Sequence, residues 1–76
     1  METAIECTEE ISVQEYLDNG TFADYADCIT EHAIYVAKHD VFNSVYVEFD
    51  DGSCYFFDGI KCDMIIDICK HEKIPY

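Results

Sequence analysis

The segment from residue 21 to residue 38, TFADYADCITEHAIYVAK, constrains the fold most, because its apolar residues repeat with the period of a helix. Thr21 followed by Asp24 is a capping signal at its start. The apolar side chains that form one stripe are Phe22, Tyr25, Ala26, Ile29, Ala33, Val36 and Ala37. The pattern predicts a helix that runs to about Lys38 or Asp40 and packs this stripe on a core.

Three acids, Asp24, Asp27 and Glu31, fall on the opposite side of this helix at spacings of three and four, and Tyr35 falls beside them. Like charges at such spacings each cost a helix about 0.2–0.5 kcal/mol. Only Lys38, two turns further on, offsets them. A ridge of this kind suggests a surface that is kept for a cationic partner.

Two further helices are predicted on either side of a hairpin. Ser12 and Glu15 form a capping box and Gly20 is a stop signal, which predicts a short helix over residues 13–19. A last helix over about residues 60–71 has the inner stripe Cys62, Ile65, Ile66 and Cys69, with Asp63 and Asp67 outside.

The stretch SVYVEFDDGSCYFF predicts the hairpin, with Asp51-Gly52 as a two-residue type I′ loop. This register places Glu48 opposite Tyr55. One face would carry Val45, Val47, Phe49, Cys54 and Phe56 toward the helices, and the other would carry Tyr46, Glu48, Asp50, Tyr55 and Phe57. Because a two-stranded ribbon is marginal alone, a third strand is expected to complete it. Ala4–Cys7 is the candidate for this strand, and the alternative for these residues is an unfixed tail.

The predicted fold class is therefore α+β: a hairpin or small antiparallel sheet packed against two main helices, with a short N-terminal helix. The 76 residues are enough for one acidic domain spanning 1–76. The chain contains no 18-residue apolar run and no basic-then-apolar leader. We therefore expect neither a membrane span nor a signal peptide, and a protein that stays in the cytoplasm where it is made.

The net charge limits the partners. Seventeen Asp and Glu face four Lys and no Arg, for a formal net charge of −13. Direct binding to nucleic acid or to an anionic membrane depends on cationic groups, so we expect neither as a function. Solubility alone requires a net charge of magnitude about 2–8 in a small domain. The excess indicates basic protein surfaces or cations as partners.

Sites for metals or catalysis are weakly supported. Cys62, Cys69 and His71 lack the paired spacing of a structural zinc site, and EFDDGS lacks the ligand ladder of a calcium loop. Cys28 and His32, four apart, are typical of packing rather than of a nucleophile and its base. We predict no cofactor, no metal and no enzymatic activity, with Cys28, Cys54, Cys62 and Cys69 as small core residues.

The acids themselves are the best candidate site. Carboxylates held on rigid elements at a density comparable to duplex DNA, which carries one charge per ~1.7 Å of axis, would compete for a DNA-binding cleft. Tyr35, Tyr46 and Tyr55 are candidate anchors. The predicted partner-binding residues are Asp24, Asp27, Glu31, Tyr35, Glu48, Asp50, Asp51, Asp58, Asp63 and Asp67.

Residues 28–53 resemble a known family, the small acidic phage anti-CRISPR proteins of the DNA-mimic type. The likeness lies in A-I-x-x-A-K-x-x-V-aromatic, which is Ala33, Ile34, Ala37, Lys38, Val41 and Phe42, and in the following F-D-D of Phe49, Asp50 and Asp51. The resemblance implies a protein in the host bacterial cytoplasm that binds the lysine-rich DNA path of a type I CRISPR surveillance complex. Its expected contact is the subunit that reads the protospacer-adjacent motif.

Two alternatives stay open. A DNA mimic of this kind can also target another host DNA-binding protein, such as a restriction enzyme or a nucleoid protein. In the third interpretation, an antitoxin-like adaptor, the acidity is incidental and the aromatic strand face of Tyr46, Tyr55 and Phe57 forms a dimer. The sequence is thus compatible with a monomer or a homodimer.

Overall fold

The computed structural model describes residues 11–76, which form three helices and one three-stranded antiparallel sheet. In chain order the elements are α1 (Val13–Asn19), α2 (Phe22–His32), β1 (Ala33–Lys38), β2 (Ser44–Phe49), β3 (Cys54–Asp58) and α3 (Gly59–Glu72). The sheet order is β1-β2-β3. The predicted α+β class is confirmed. The strand predicted at Ala4–Cys7 lies outside the described residues.

The helix ends follow their capping signals. The Ser12 side chain accepts a hydrogen bond from the Glu15 backbone N–H at 3.2 Å, and Gly20 ends α1 with a left-handed φ of 73°. The helix therefore covers the predicted residues. At the other end of the chain, Lys73 adopts a left-handed conformation after α3, and its N–H donates to the Cys69 carbonyl.

The long helix predicted to reach Lys38 or Asp40 is wrong in its second half. Helix α2 ends at His32, and the next residue, Ala33, is extended with φ −74° and ψ 131°. Residues 33–38 form β1 because Ile34, Tyr35 and Val36 favour strands and because β1 pairs along its length with β2. In this pairing Val36 lies opposite Val47, and both are buried.

The hairpin forms as predicted, but its register differs by one residue. The loop has three residues, Asp50 to Gly52, and the Phe49 N–H donates to the Ser53 carbonyl at 2.9 Å. Asp51 does not take the positive φ that a type I′ turn needs, whereas Gly52 does at 90°. The Asp51 carboxylate instead accepts from the Ser53 N–H and hydroxyl, an Asx-turn that favours the longer loop.

This shift exchanges the two faces of β3, as a one-residue slip must. Glu48 lies opposite Cys54 rather than Tyr55, and Val45 lies opposite Phe57. Phe57 is therefore buried and Tyr55 half-buried beside it, so neither belongs to the outer face where both were predicted. Cys54 and Phe56, predicted to be inside, are exposed.

The core lies between the inner face of the sheet and the three helices. Helix α3 contacts β2 and β3, while α1 and α2 pack on each other. The buried side chains form one cluster: Val13, Tyr16, Tyr25, Cys28, Ile29, Val36, Val45, Val47, Phe49, Phe57, Cys62, Ile65, Ile68 and Cys69. On α3 the predicted stripe is correct except that Ile68 is buried and Ile66 is only half-buried. No described helix is long and apolar enough to span a membrane.

Candidate protein-binding surface

The acids of the predicted ridge, Asp24, Asp27 and Glu31, all lie within α2, although this helix ends at His32. Asp24 belongs to the first turn, where its N–H donates to the Thr21 hydroxyl at 3.1 Å. The Thr21 hydroxyl in turn donates to the Asp24 carboxylate at 2.7 Å. This reciprocal cap lies at the positive end of the helix dipole. The presence of Asp24 is therefore explained by its stabilisation of the helix start.

Glu31 and Asp27 lie next to Tyr16 of α1. The buried Tyr16 hydroxyl donates to the Glu31 carboxylate at 3.0 Å. Burial, the hydrogen bond to Glu31 and the nearby charge of Asp27 together raise the pKa of Tyr16 to about 12. The hydrogen bond anchors Glu31 to a packed helix, so its carboxylate is held in one place.

The hairpin loop brings two further acids to the same end of the molecule. Both carboxylate oxygens of Asp50 lie 3.1 Å from Nδ1 of His32, the last residue of α2. The Asp50 N–H also donates to the His32 carbonyl at 2.8 Å. These contacts fasten the loop to the end of α2.

Acids from both α2 and the hairpin loop act on the thiol of Cys28. Its thiol is fully buried, and burial together with the charges of Asp51, Asp50 and Glu31 raises its pKa to about 12. One buried atom thus experiences acids from both α2 and the hairpin loop. We call Asp27, Glu31, Asp50 and Asp51 the acidic end.

The other predicted acids lie elsewhere. Glu48 is on the outer face of the sheet, and Asp58 precedes α3 without making a side-chain cap. Asp63 and Asp67 are exposed on α3, and Asp67 borders a groove of about 350 Å³ together with Phe22 and Ala26.

Tyr35 does not lie beside the α2 ridge, where it was predicted. It projects from β1 on the outer face of the sheet, opposite Glu48 and 6.1 Å from the ring of Tyr46. Its predicted place depended on a helix that continued past His32.

Lysines do not neutralise the acidic end. Between residues 11 and 76, the ion pairs join histidines to carboxylates, and no lysine lies within 4.0 Å of a carboxylate oxygen. Lys38, predicted to offset the ridge, donates instead to the carbonyls of His39 and Phe42, at 2.8 and 3.0 Å. The acidic end therefore offers carboxylates, with His32 as its only cationic candidate within the described chain.

Three of the cysteines in the described part of the chain are packing residues of the core. Cys28, Cys62 and Cys69 are buried, and burial raises the pKa of each thiol, which disfavours the reactive thiolate. Cys54 is exposed, contrary to its predicted place in the core. Within residues 11–76 no group of three or more His, Cys, Asp or Glu side chains is arranged to hold a metal ion.

One surface was not predicted. The rings of Tyr35, Tyr46 and Phe56 line up on the outer face of the sheet, with the Tyr46 and Phe56 centroids 5.0 Å apart. A predicted loop of three residues would have placed Phe56 on the outer face, because this loop length exchanges the two faces of β3. The third ring, from Tyr35, depended on recognising β1.

Comparison of the chain with protein-family models, with curated proteins and with solved structures found no match.

Proposed function

We propose that this protein is a non-enzymatic inhibitor that imitates the charge of DNA and occupies the DNA path of a type I CRISPR surveillance complex. The observation that carries the proposal is the acidic end. Glu31, Asp50 and Asp51 surround Cys28 from a helix and a hairpin loop that are fastened to each other. Asp27 lies with Glu31 beside Tyr16, and no lysine pairs with any of the four.

Rigid placement is what makes such a surface effective. Carboxylates that are already held by Tyr16 and His32 pair with lysine or arginine without the ordering cost of a flexible acidic tail. The net charge of −13 also steers the protein toward a basic cleft, so association should be fast and should slow as salt screens the field. The resemblance to DNA-mimic anti-CRISPR proteins selects the surveillance complex as the first target to test.

A mobility-shift assay tests the proposal. A purified type I surveillance complex is incubated with the protein before its labelled target duplex is added, and we expect capture of the duplex to be lost. When the duplex is added first, inhibition should be weaker, because the two compete for one site. Unchanged capture in both orders would reject this target.

A matched pair of variants tests the surface. Asp27→Asn with Glu31→Gln removes two charges from the acidic end, and Asp63→Asn with Asp67→Asn removes two from α3, where the acids are also four apart. Losing two well-placed charge pairs should weaken inhibition by about tenfold or more, and the α3 variant should change it less than about threefold. Equal effects would show that total charge, not the acidic end, is responsible.

The same acidic end also fits the alternative targets, a restriction enzyme or a nucleoid protein, because basic DNA-binding surfaces share the same charge. Capture from a bacterial lysate distinguishes them. A target bound through the acidic end should still be captured by the variant with Asp63→Asn and Asp67→Asn. The variant with Asp27→Asn and Glu31→Gln should no longer capture it.

A further inference from the structure

The outer face of the sheet carries a row of three aromatic rings, one from each strand. Tyr46 on the central strand lies between Tyr35, at 6.1 Å between ring centroids, and Phe56, at 5.0 Å. The outer two are well exposed, Tyr35 at 55% and Phe56 at 73%. We call Tyr35, Tyr46 and Phe56 the aromatic row.

A carboxylate is fixed against this row. Glu48 lies opposite Tyr35 across the β1–β2 pair, and the Tyr46 hydroxyl donates to Glu48 Oε2 at 2.6 Å. That bond, together with burial, raises the pKa of Tyr46. The other oxygen, Oε1, has no hydrogen-bond partner among residues 11–76 and is available to a ligand.

Within the described chain, no cationic side chain pairs with the Glu48 carboxylate. Lys38 lines the shallow depression of about 340 Å³ beside Tyr46 and Phe56, but its ammonium donates to the backbone carbonyls of His39 and Phe42. Asp40 lines the same depression and adds a second negative group. The row is thus an open aromatic platform with negative charge beside it.

We propose that the aromatic row and Glu48 together bind an arginine side chain of a protein partner. A guanidinium is planar and cationic, so it stacks on aromatic faces while its N–H groups donate to a carboxylate. Nucleic acid bases stack on similar platforms, but here their phosphates would meet the carboxylates of Glu48 and Asp40. A purely apolar partner would bury the Glu48 carboxylate without a partner, and a lysine ammonium lacks the plane that stacks.

This inference deepens the proposed function, on which it rests for the identity of the partner. It assigns the open sheet face, rather than the acidic end, as the place where arginine is distinguished from lysine. The chemistry itself belongs to this chain and can be measured without any surveillance complex.

The experiment is an NMR titration of the full-length protein with capped hexa-arginine and capped hexa-lysine peptides in the same buffer. Both peptides carry the same charge, so the acidic end attracts both. Stacking on the row should make hexa-arginine bind about tenfold more tightly, with shifts centred on Tyr35, Tyr46 and Phe56. Glu48→Gln combined with Phe56→Leu should reduce this preference to less than about twofold, whereas Asp67→Asn, with the same charge change as Glu48→Gln, should preserve it.

Equal affinities for the two peptides, or shifts confined to α2 and the hairpin loop, would overturn the inference. So would a dimer that persists at high salt and protects the row, because a second copy would then occupy the face. Failure of the two proposals can be told apart. An arginine preference on the row without inhibition of any type I complex rejects only the proposed function, and inhibition without such a preference rejects only the arginine site.

Discussion

The two faces of the sheet have similar side chains but opposite surroundings. On the inner face, Val47, Phe49 and Phe57 are at most 6% exposed beneath the helices. On the outer face, Tyr35 and Phe56 are more than half exposed, although both are large aromatic residues. An antiparallel sheet needs cover on only one face, so aromatic composition does not reveal which residues form the core.

The comparison separates stability from recognition. Rings on the inner face stabilise the fold because they leave water when the chain folds, whereas rings on the outer face would contribute in this way only if a partner covered them. The acids show the same division. Asp24 stabilises the start of α2, while Glu31 and Asp50, held by neighbours but open to solvent, are available for binding.

The largest difference between the faces is expected from truncating one phenylalanine on each. Phe49→Ala removes a ring that is 1% exposed and should lower the free energy of unfolding by about 3–5 kcal/mol. Phe56→Ala removes a ring that is 73% exposed and should change it by less than about 0.5 kcal/mol. Urea denaturation followed by circular dichroism measures both. A comparable loss for Phe56→Ala would mean that the outer face is covered in solution.

Thiol labelling compares the same faces chemically. In a Cys7→Ser background at pH 8, Cys54 should react with a maleimide, while the buried Cys28, Cys62 and Cys69 should react at least ~100-fold more slowly. For Cys28 the raised pKa of about 12 adds to the lack of access. Mass spectrometry should find one adduct in the native protein and four in urea.

Replacing Cys54 by Ser in the same background provides the control, with no adduct expected before denaturation. If instead Cys54 is protected and one of the other thiols reacts, β3 has the register of a two-residue loop and not the register described above.

The smallest effect is expected in the hairpin loop that sets this register. Gly52 has a φ of 90°, and a Cβ there would meet nothing within 4 Å, so Gly52→Ala adds backbone strain without a clash. The free energy of unfolding should fall by about 1 kcal/mol. Gly52→Asn should cost less, because asparagine tolerates positive φ better. Thermal unfolding resolves the two, and a neutral Gly52→Ala would contradict the left-handed conformation.

Local sequence signals predicted correctly the helix ends at which a capping residue is present. Helix α1 begins after Ser12 and ends before Gly20 because both residues satisfy backbone groups close to themselves. The acidic ridge was predicted for a related reason, since Asp27 and Glu31 stay on one side of α2 wherever the helix ends. That Glu31 would meet Asp50 and Asp51 was not predictable, because their proximity depends on how the hairpin docks.

The end of α2 and the hairpin register were mispredicted because local patterns there support two answers. Ala33, Val36 and Ala37 have helical spacing, and yet Val36 is also correctly placed for a strand that pairs with Val47. Asp51-Gly52 favours a two-residue loop, and yet the hydrogen bond that the Ser53 N–H donates to the Asp51 carboxylate stabilises a loop of three residues. Long-range pairing decided the first case and a side-chain hydrogen bond decided the second.

By itself, the sequence determined the strong negative charge, the α+β class and the capped ends of α1. These follow from composition and from contacts a few residues apart. Only the tertiary structure decided that residues 33–38 form a strand, and that Phe56 rather than Phe57 faces outward. The reason is physical: a strand is stabilised by partners distant in the chain, and a one-residue change in their alignment exchanges core and surface.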